Sequence, residues 1–206
     1  MIDLPPLQPH IEISLASQGI SKGVRQTEGP QLVVRPELGI GPMTIAGYWK
    51  NVDSANAEGE GGLSAGLRHS LGGFDFSVGA AWKFNTSVRG PYDGEAAEFV
   101  GTVSRRFGPV TARASLTYSP DELGSTGESF YWEGGATYAL RSNTRISAAV
   151  SRRERDGGPD YTAFNVGVTQ TLWRGISADL RYHDTGENEL GEIYEGRVVA
   201  SLRARF

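Results

Sequence analysis

Residues 74–84 read FDFSVGAAWKF, and their strict alternation decides the fold. One set is Phe74, Phe76, Val78, Ala80, Trp82 and Phe84; the other is Asp75, Ser77, Gly79, Ala81 and Lys83. Period two is the signature of a β-strand, because successive side chains leave opposite faces. One face here is greasy, and the other carries charge or almost no side chain.

Working outward, the same alternation recurs to both ends of the chain, and no i, i+3, i+4, i+7 apolar stripe is sustained anywhere. Towards the N-terminus the apolar sets are Ile11, Ile13, Leu15, then Leu32, Val34, Leu38, then Met43, Ile45, Trp49, then Leu63, Ala65, Leu67, Leu71. Towards the C-terminus come Phe99, Gly101, Val103, Phe107; Val110, Ala112, Ala114, Leu116, Tyr118; Phe130, Trp132, Ala136, Tyr138, Leu140; and Ile146, Ala148, Val150. Phe164, Val166, Val168, Leu172 and Ile176, Ala178, Leu180, Tyr182 follow. The closing stretch EIYEGRVVASLRARF (192–206) sets Tyr194, Gly196, Val198, Ala200, Leu202, Ala204 and Phe206 against Glu195, Arg197, Val199, Ser201, Arg203 and Arg205. This predicts an all-β chain of about twelve strands, with ten as the alternative if the first hairpin or the link at 155–160 reads otherwise.

The connections alternate in length. Tight turns are expected at 39–42, 71–73, 107–109, 141–144 and 173–175, and longer polar links at about 24–30, 53–61, 85–95, 119–128, 155–160 and 185–192. Short turns at one end and long loops at the other mark an up-and-down transmembrane barrel of the bacterial outer membrane, periplasmic below and extracellular above. A Greek-key sandwich has no reason to alternate so regularly. Aromatics are expected in two girdles: Trp49, Trp82, Phe84, Tyr118, Phe130, Trp132, Tyr161 and Tyr182 near the long loops, and Phe74, Phe107, Tyr138, Trp173 and Phe206 near the short turns.

Composition agrees. The 206 residues are expected to form one domain, residues 10–206, behind an extended tail, 1–9, that holds Pro5, Pro6 and Pro9. Nothing approaches the ~20 consecutive apolar residues of a spanning helix, yet barrel strands, apolar on one face, escape average hydropathy. There is no cysteine, hence no disulfide framework and no thiolate site. A net charge of −4 argues against nucleic acid as a partner. The opening MIDLPPLQPH has neither a basic n-region nor an apolar h-region, as expected of a mature chain or of a cytosolic protein.

Charge placement chooses membrane over soluble barrel. Twelve strands enclose too wide a space to fill with Ala, Val and Gly, so the apolar face is expected to meet lipid and the charged face a wet lumen. The lipid-facing set is free of charge except Arg105 and Arg152, both near strand ends, where a long side chain can snorkel.

The segments ISLASQGISKGVRQTEGPQLVV (13–34) and MTIAGYWKNVD (43–53) resemble the TorF family of small Gram-negative outer-membrane porins. Gly23, Gln26 and Thr27, then Ala46, Gly47, Trp49, Asn51, Val52 and Asp53 carry the likeness. Lys22 stands where that family usually has Arg, and Arg25 where it has Ser. The resemblance implies a porin-like barrel without indicating a solute.

The inward charges are the candidate functional surface: Arg35, Lys50, Arg68, Lys83, Arg106, Arg113, Arg145, Arg153, Arg181, Arg197, Arg203 and Arg205, with Glu12, Glu37, Asp75, Glu98, Glu133, Asp179 and Glu195. Expected neighbours are Arg68 with Asp75, Lys83 with Glu98, Glu133 with Arg153, and Arg181 or Arg197 with Asp179 and Glu195. Across the closing seam, Glu12 is expected beside Arg203 or Arg205. Such a lumen suits passive diffusion of small polar or ionic solutes, with the cation excess favouring anions. Two other roles are compatible with this pattern. A closed structural or adhesive barrel would act through acidic loops, at Asp53, Glu58 and Glu60, at Asp121, Glu122 and Glu128, and at Asp184, Glu187, Glu189 and Glu192. A barrel-wall hydrolase would need a Ser and a His together at the long-loop end of neighbouring strands; His69 faces outward beside the short turn at 71–73, His183 has no Ser evident opposite, and His10 lies in the tail. No catalytic residue, metal site or cofactor is assigned. Expected partners are outer-membrane lipid and lipopolysaccharide, small solutes, and the barrel-assembly machinery, which reads a terminal aromatic such as Phe206.

Overall fold

The computed structural model describes residues 5–53, 57–88, 94–124 and 126–206. The first four residues of the tail and parts of three expected loops (54–56, 89–93 and 125) lie outside that set. Among the described residues twelve antiparallel strands close a barrel. They are β1 (Leu7–Ala16), β2 (Gln31–Ile40), β3 (Met43–Asn51), β4 (Gly59–Leu71), β5 (Phe74–Thr86), β6 (Glu95–Phe107), β7 (Val110–Glu122), β8 (Gly127–Arg141), β9 (Thr144–Arg155), β10 (Tyr161–Trp173), β11 (Ile176–Asp184) and β12 (Arg197–Arg205). Each pairs with its sequence neighbours, and β1 also pairs with β12 to close the ring.

The five expected tight turns all occur, each leaving two residues between strands. Gly72 and Gly73 join β4 to β5 at φ 61° and 77°. Positive φ at both central residues is what a two-residue hairpin of matching twist requires, and glycine reaches it without strain.

β1 starts at Leu7, ahead of the expected His10. Pro9 sits in the strand opposite Leu38, and it is tolerated because β12 pairs only with Glu12–Ala16. The missing N–H therefore faces the unpaired side of a strand end. At the other end of β7 a one-residue shift separates the pairs Ser129↔Ser119 and Gly127↔Glu122. This bulge turns Glu122 from the lipid face into the lumen.

The barrel is apolar outside, as the alternation predicts. Val78 is 61% exposed, Leu180 57% and Val198 60%, while the inward-facing Lys83, Arg153 and Val199 are buried. A lipid-facing belt of this kind carries the burial that a soluble fold would place in its core. Rings of the long-loop girdle touch along and across strands: Trp82 with Phe84 on β5 at 5.0 Å between centroids, and across strands Phe99 with Tyr118 at 6.4 Å and Tyr118 with Phe130 at 4.8 Å. Arg105 lies over Phe74 and Phe107 at 4.5 and 5.1 Å, a cation–π seat at the short-turn end. Arg152, at the other end, is held by Glu154 at 3.3 Å and Asp160 at 3.5 Å. Tyr161 departs from the girdle. It faces inward and is fully buried, because the loop between β1 and β2 packs over it.

Candidate functional site: a capped and charged lumen

The loop joining β1 to β2, residues 17–30, folds into the long-loop mouth. Its tip is a small hairpin, Ile20–Ser21 against Val24–Arg25, turned by Lys22 at φ 49° and Gly23 at φ 87°. The tip reaches the opposite wall. The Lys22 amine contacts Glu98 of β6 at 2.7 Å and Glu122 of β7 at 2.5 Å, and the Tyr161 hydroxyl of β10 donates to the Lys22 carbonyl at 2.7 Å. A Cβ on Gly23 would collide with that of Ala163.

The residues that carried the family likeness hold this loop at its base. Thr27 is buried, accepts from the Gly19 amide at 2.7 Å and donates to the Gly29 carbonyl at 2.6 Å. Asp53 accepts from the Glu28 amide at 2.7 Å, and its own amide donates to the Gln26 carbonyl. Asn51 accepts from Leu32 N–H and donates to the Pro30 carbonyl. The Gln26 side chain takes the Lys50 amine at 2.7 Å.

The last long loop, 185–196, closes over the first. Tyr194 meets Tyr161 edge-on at 5.3 Å, in a small apolar cluster with Ala163, Val24 and Leu190. Glu192 pairs with Arg25 at 2.7 Å, and Arg155 donates to the Tyr194 hydroxyl at 2.6 Å.

Beneath this cap runs a belt of ion pairs. Lys83 lies 3.2 Å from Glu98, 3.7 Å from Glu122 and 3.8 Å from Glu60. Lys50 lies 3.2 Å from Glu60, which also accepts from Tyr48 at 2.6 Å. Arg153 lies 2.6 Å from Glu122, which accepts from Ser129 at 2.6 Å as well. Four cations, Lys22, Lys50, Lys83 and Arg153, thus face three carboxylates, Glu60, Glu98 and Glu122. Above the belt is a vestibule of about 350 Å³ bordered by Arg25, Asp53, Glu60, Asn85 and Arg155. Below it lie spaces of about 360, 420 and 170 Å³. Their walls include Arg35, Glu37 and Arg68 in the first, Arg113, Glu133 and Arg181 in the second, and Asp179, Arg181 and Arg203 in the third.

A twelve-strand barrel with an inward-folded loop and a charged lumen is the build of a diffusion channel, and the comparisons agree. Residues 23–189 match the family model of the Gram-negative porins. The chain belongs to that family.

The solved structures like this porin include the KdgM porin, with a TM-score of 0.67 at 8% identity over 96% of this chain and 99% of that one. One KdgM structure holds a disordered oligogalacturonate. The NanC porin follows, with a TM-score of 0.65 at 9% identity over 95% and 97%. The COG4313 outer membrane channel from Pseudomonas putida F1 gives 0.60 at 10% identity over 97% and 95%. At such identities the likeness is one of fold. No curated protein sequence matches the chain. The porin family places the protein in the outer membrane as a porin-like channel, and these neighbours share its fold. The family shown is the wider porin family; the TorF likeness remains a likeness in the first hairpin.

The sequence-based site residues of this porin divide by height. Lys50, Lys83, Glu98 and Arg153 meet in the belt, and the Lys83–Glu98 pair forms as expected. Arg35, Arg68, Arg113, Arg145, Asp179, Arg181, Arg203 and Arg205 lie on inward positions below it, with Arg106 beside its turn, donating to the Gly108 carbonyl at 3.1 Å. Arg181 is fixed by Asp179 at 3.1 Å, by Asn165 at 2.6 Å and by Ser147 at 2.8 Å. The seam is closed by Arg203 and Glu12 at 3.5 Å, and Arg205 reaches Glu37 at 3.6 Å.

Four expectations are corrected. Arg68 does not pair with Asp75, because the register sets Arg68 opposite Ser77 and Ser70 opposite Asp75; Arg68 reaches Glu37 at 4.0 Å instead. Glu133 does not meet Arg153, which lies opposite Tyr131 and turns to Glu122, while Glu133 accepts from Tyr131 at 3.1 Å. Glu195 is not on the lumen wall. A 3-10 turn over Glu192–Tyr194 precedes it, the strand starts only at Arg197, and Glu195 is exposed at the long-loop end. Arg197 bonds the Glu195 carbonyl and not its carboxylate.

Glu60 and Glu122, expected in acidic loops, are strand residues buried in the belt. Lys22, Tyr48 and Tyr161 also belong to it. The even spacing of Glu60, Gly62, Ser64, Gly66 and Arg68 was the available signal for Glu60, muted because glycines show no face.

Proposed function

We propose that this porin favours small acidic solutes, with the lower lumen selecting charge by its free arginines. One observation carries the reading. Glu12, Glu37 and Asp179 are paired with arginines, Asp75 accepts from the Ser70 hydroxyl and Glu133 from Tyr131. Arg35, Arg113 and Arg145 are exposed to the lumen, and among the described residues none of the three forms an ion pair or a side-chain hydrogen bond. Fixed cations without counter-charges attract anions into a narrow water-filled path. The oligogalacturonate held by KdgM is an acidic sugar, but the support here is this chain's own arginine set.

Under a KCl gradient across a planar bilayer, the reversal potential is expected to have the sign of chloride preference. Arg113→Glu with Arg145→Glu should move it towards potassium. A potassium-signed potential for the unaltered protein overturns the reading.

A channel, not a hydrolase, is the role proposed. His183 lies inward between Asn165 and Arg197 in the register, and His69 lies opposite Phe76 near a short turn. The cap of the two long loops lends support to the second reading, a closed barrel; electrical silence would favour it.

Delivery by the assembly machinery through the C-terminal strand, and contact of the upper girdle with lipopolysaccharide, complete the proposal. Phe206 is 75% exposed and exchanges two backbone hydrogen bonds with Ile11, at 3.2 and 2.9 Å. Deleting Phe206 is expected to cut the amount of heat-modifiable barrel recovered from outer membranes; unchanged recovery contradicts its role as a signal.

A further inference from the structure

We infer that the tip hairpin Ile20–Arg25 is the size-limiting element of the channel, and that Lys22 is the positioning residue that holds it across the bore. This rests on the channel reading above but not on its anion preference.

The strand order makes the span clear. The loop leaves the wall between β1 and β2, and β7 stands six strands from β1 by way of β12 and five from β2 the other way around the ring. The Lys22 amine nevertheless touches Glu122 on β7 and Glu98 on β6. The hairpin therefore crosses the lumen and docks at three points: the amine on two carboxylates of the far wall, and, on β10 three strands from β1, the Lys22 carbonyl on the Tyr161 hydroxyl and Gly23 against Ala163. The docking is built for this tip. Lys22 is a non-glycine residue in the left-handed region, where few side chains rest without support. Tyr161, which receives it, is fully buried by the loop it binds.

Beside the tip, on β3, β4 and β5, stand Lys50, Glu60 and Lys83. Glu60 lines the vestibule above, and its partner Tyr48 lines the space below. The two spaces thus face each other across this pair, and the inferred route runs past it. The belt's charges are engaged with one another, and the free arginines lie lower. Two properties therefore separate: the hairpin sets how large a solute can pass, and the chamber sets its sign.

The test is single-channel recording, with liposome swelling in sugars of increasing size. It uses a protein in which residues 20–25 are replaced by two glycines, together with the point variants Lys22→Ala, Lys22→Arg and Gly23→Val. Heat-modifiable gel mobility reports whether each barrel is folded. The shortened loop is expected to raise conductance several-fold and to admit larger sugars, with the sign of the reversal potential kept. Lys22→Ala and Gly23→Val should raise conductance less, with more frequent switching. Lys22→Arg should behave as the parent, since a guanidinium can fork onto both carboxylates.

Folded variants with parental conductance and sugar cut-off overturn the inference. So does a shortened loop that stays silent. A silent parent whose shortened-loop variant conducts supports the inference while refuting passive conduction by the parent. A reversed selectivity sign in the parent refutes the anion preference alone. If the shortened loop fails to fold, Lys22→Ala and Gly23→Val decide by the same readout.

Discussion

Glu122→Ala is expected to destabilise the folded barrel by about 3–5 kcal/mol, the usual cost of stripping one partner from a buried ion pair. Its carboxylate is 7% exposed and receives Lys22, Lys83, Arg153 and Ser129 together. Lys22 would keep Glu98, and Lys83 would keep Glu98 and Glu60. Arg153 would keep no carboxylate at all, in a setting where its Nε already has no hydrogen-bond partner. An uncompensated buried guanidinium is the main penalty. Glu122→Gln, which still accepts hydrogen bonds, should cost less. Combining Glu122→Ala with Arg153→Met should recover much of the loss, because an apolar pair of similar volume leaves no charge buried. Denaturant unfolding in lipid vesicles measures all three, and a Glu122→Ala barrel as stable as its parent contradicts the account of the belt.

The second large effect tests which face is which. Val78→Arg, on an outward position midway along β5 between Leu67 and Gly101, should cost roughly 2–4 kcal/mol in a bilayer. Ser77→Arg, one residue earlier on the lumen wall, should cost little, because its head stays in water. Unfolding measurements on the pair in the same vesicles provide the comparison. Equal costs would mean that the apolar face does not meet lipid.

Most of the fold was legible because a lipid-facing barrel writes its geometry into a two-residue period. The clean alternation of β5, β7 and β12 and the five short turns follow from pleating and turn chemistry alone. Legibility failed where side chains are missing or the period breaks. The run Gly59, Glu60, Gly61, Gly62 has one side chain to read, so Glu60 passed for loop charge. The bulge before Glu122 shifts the register by one and moves that carboxylate to the other face, which no alternation can foretell. Glu195 failed in the opposite way: the period was extrapolated through Gly196 into a turn.

The lumen pairs were half legible. Lys83 and Glu98 sit on adjacent strands, so hairpin register brings them close. Arg153 and Glu122 are two strands apart, and Lys22 comes from across the bore. Such contacts depend on barrel closure and on how the first loop folds, and local pattern does not specify either. The family-like residues of the first hairpin did mark the important loop. Of these, Gln26, Thr27, Asn51 and Asp53 anchor its base, while Gly23, with Lys22 beside it, belongs to the tip that does the spanning.

The central claim is that water and small ions pass along the lumen, around the inserted hairpin, in the intact protein. Planar-bilayer recording of the purified parent barrel tests it most directly. The account predicts discrete conductance steps that are small beside those of wider porins, since twelve strands enclose a narrow bore and the first loop occupies part of it. A folded, heat-modifiable barrel that inserts and yet shows no steps at any voltage would contradict it.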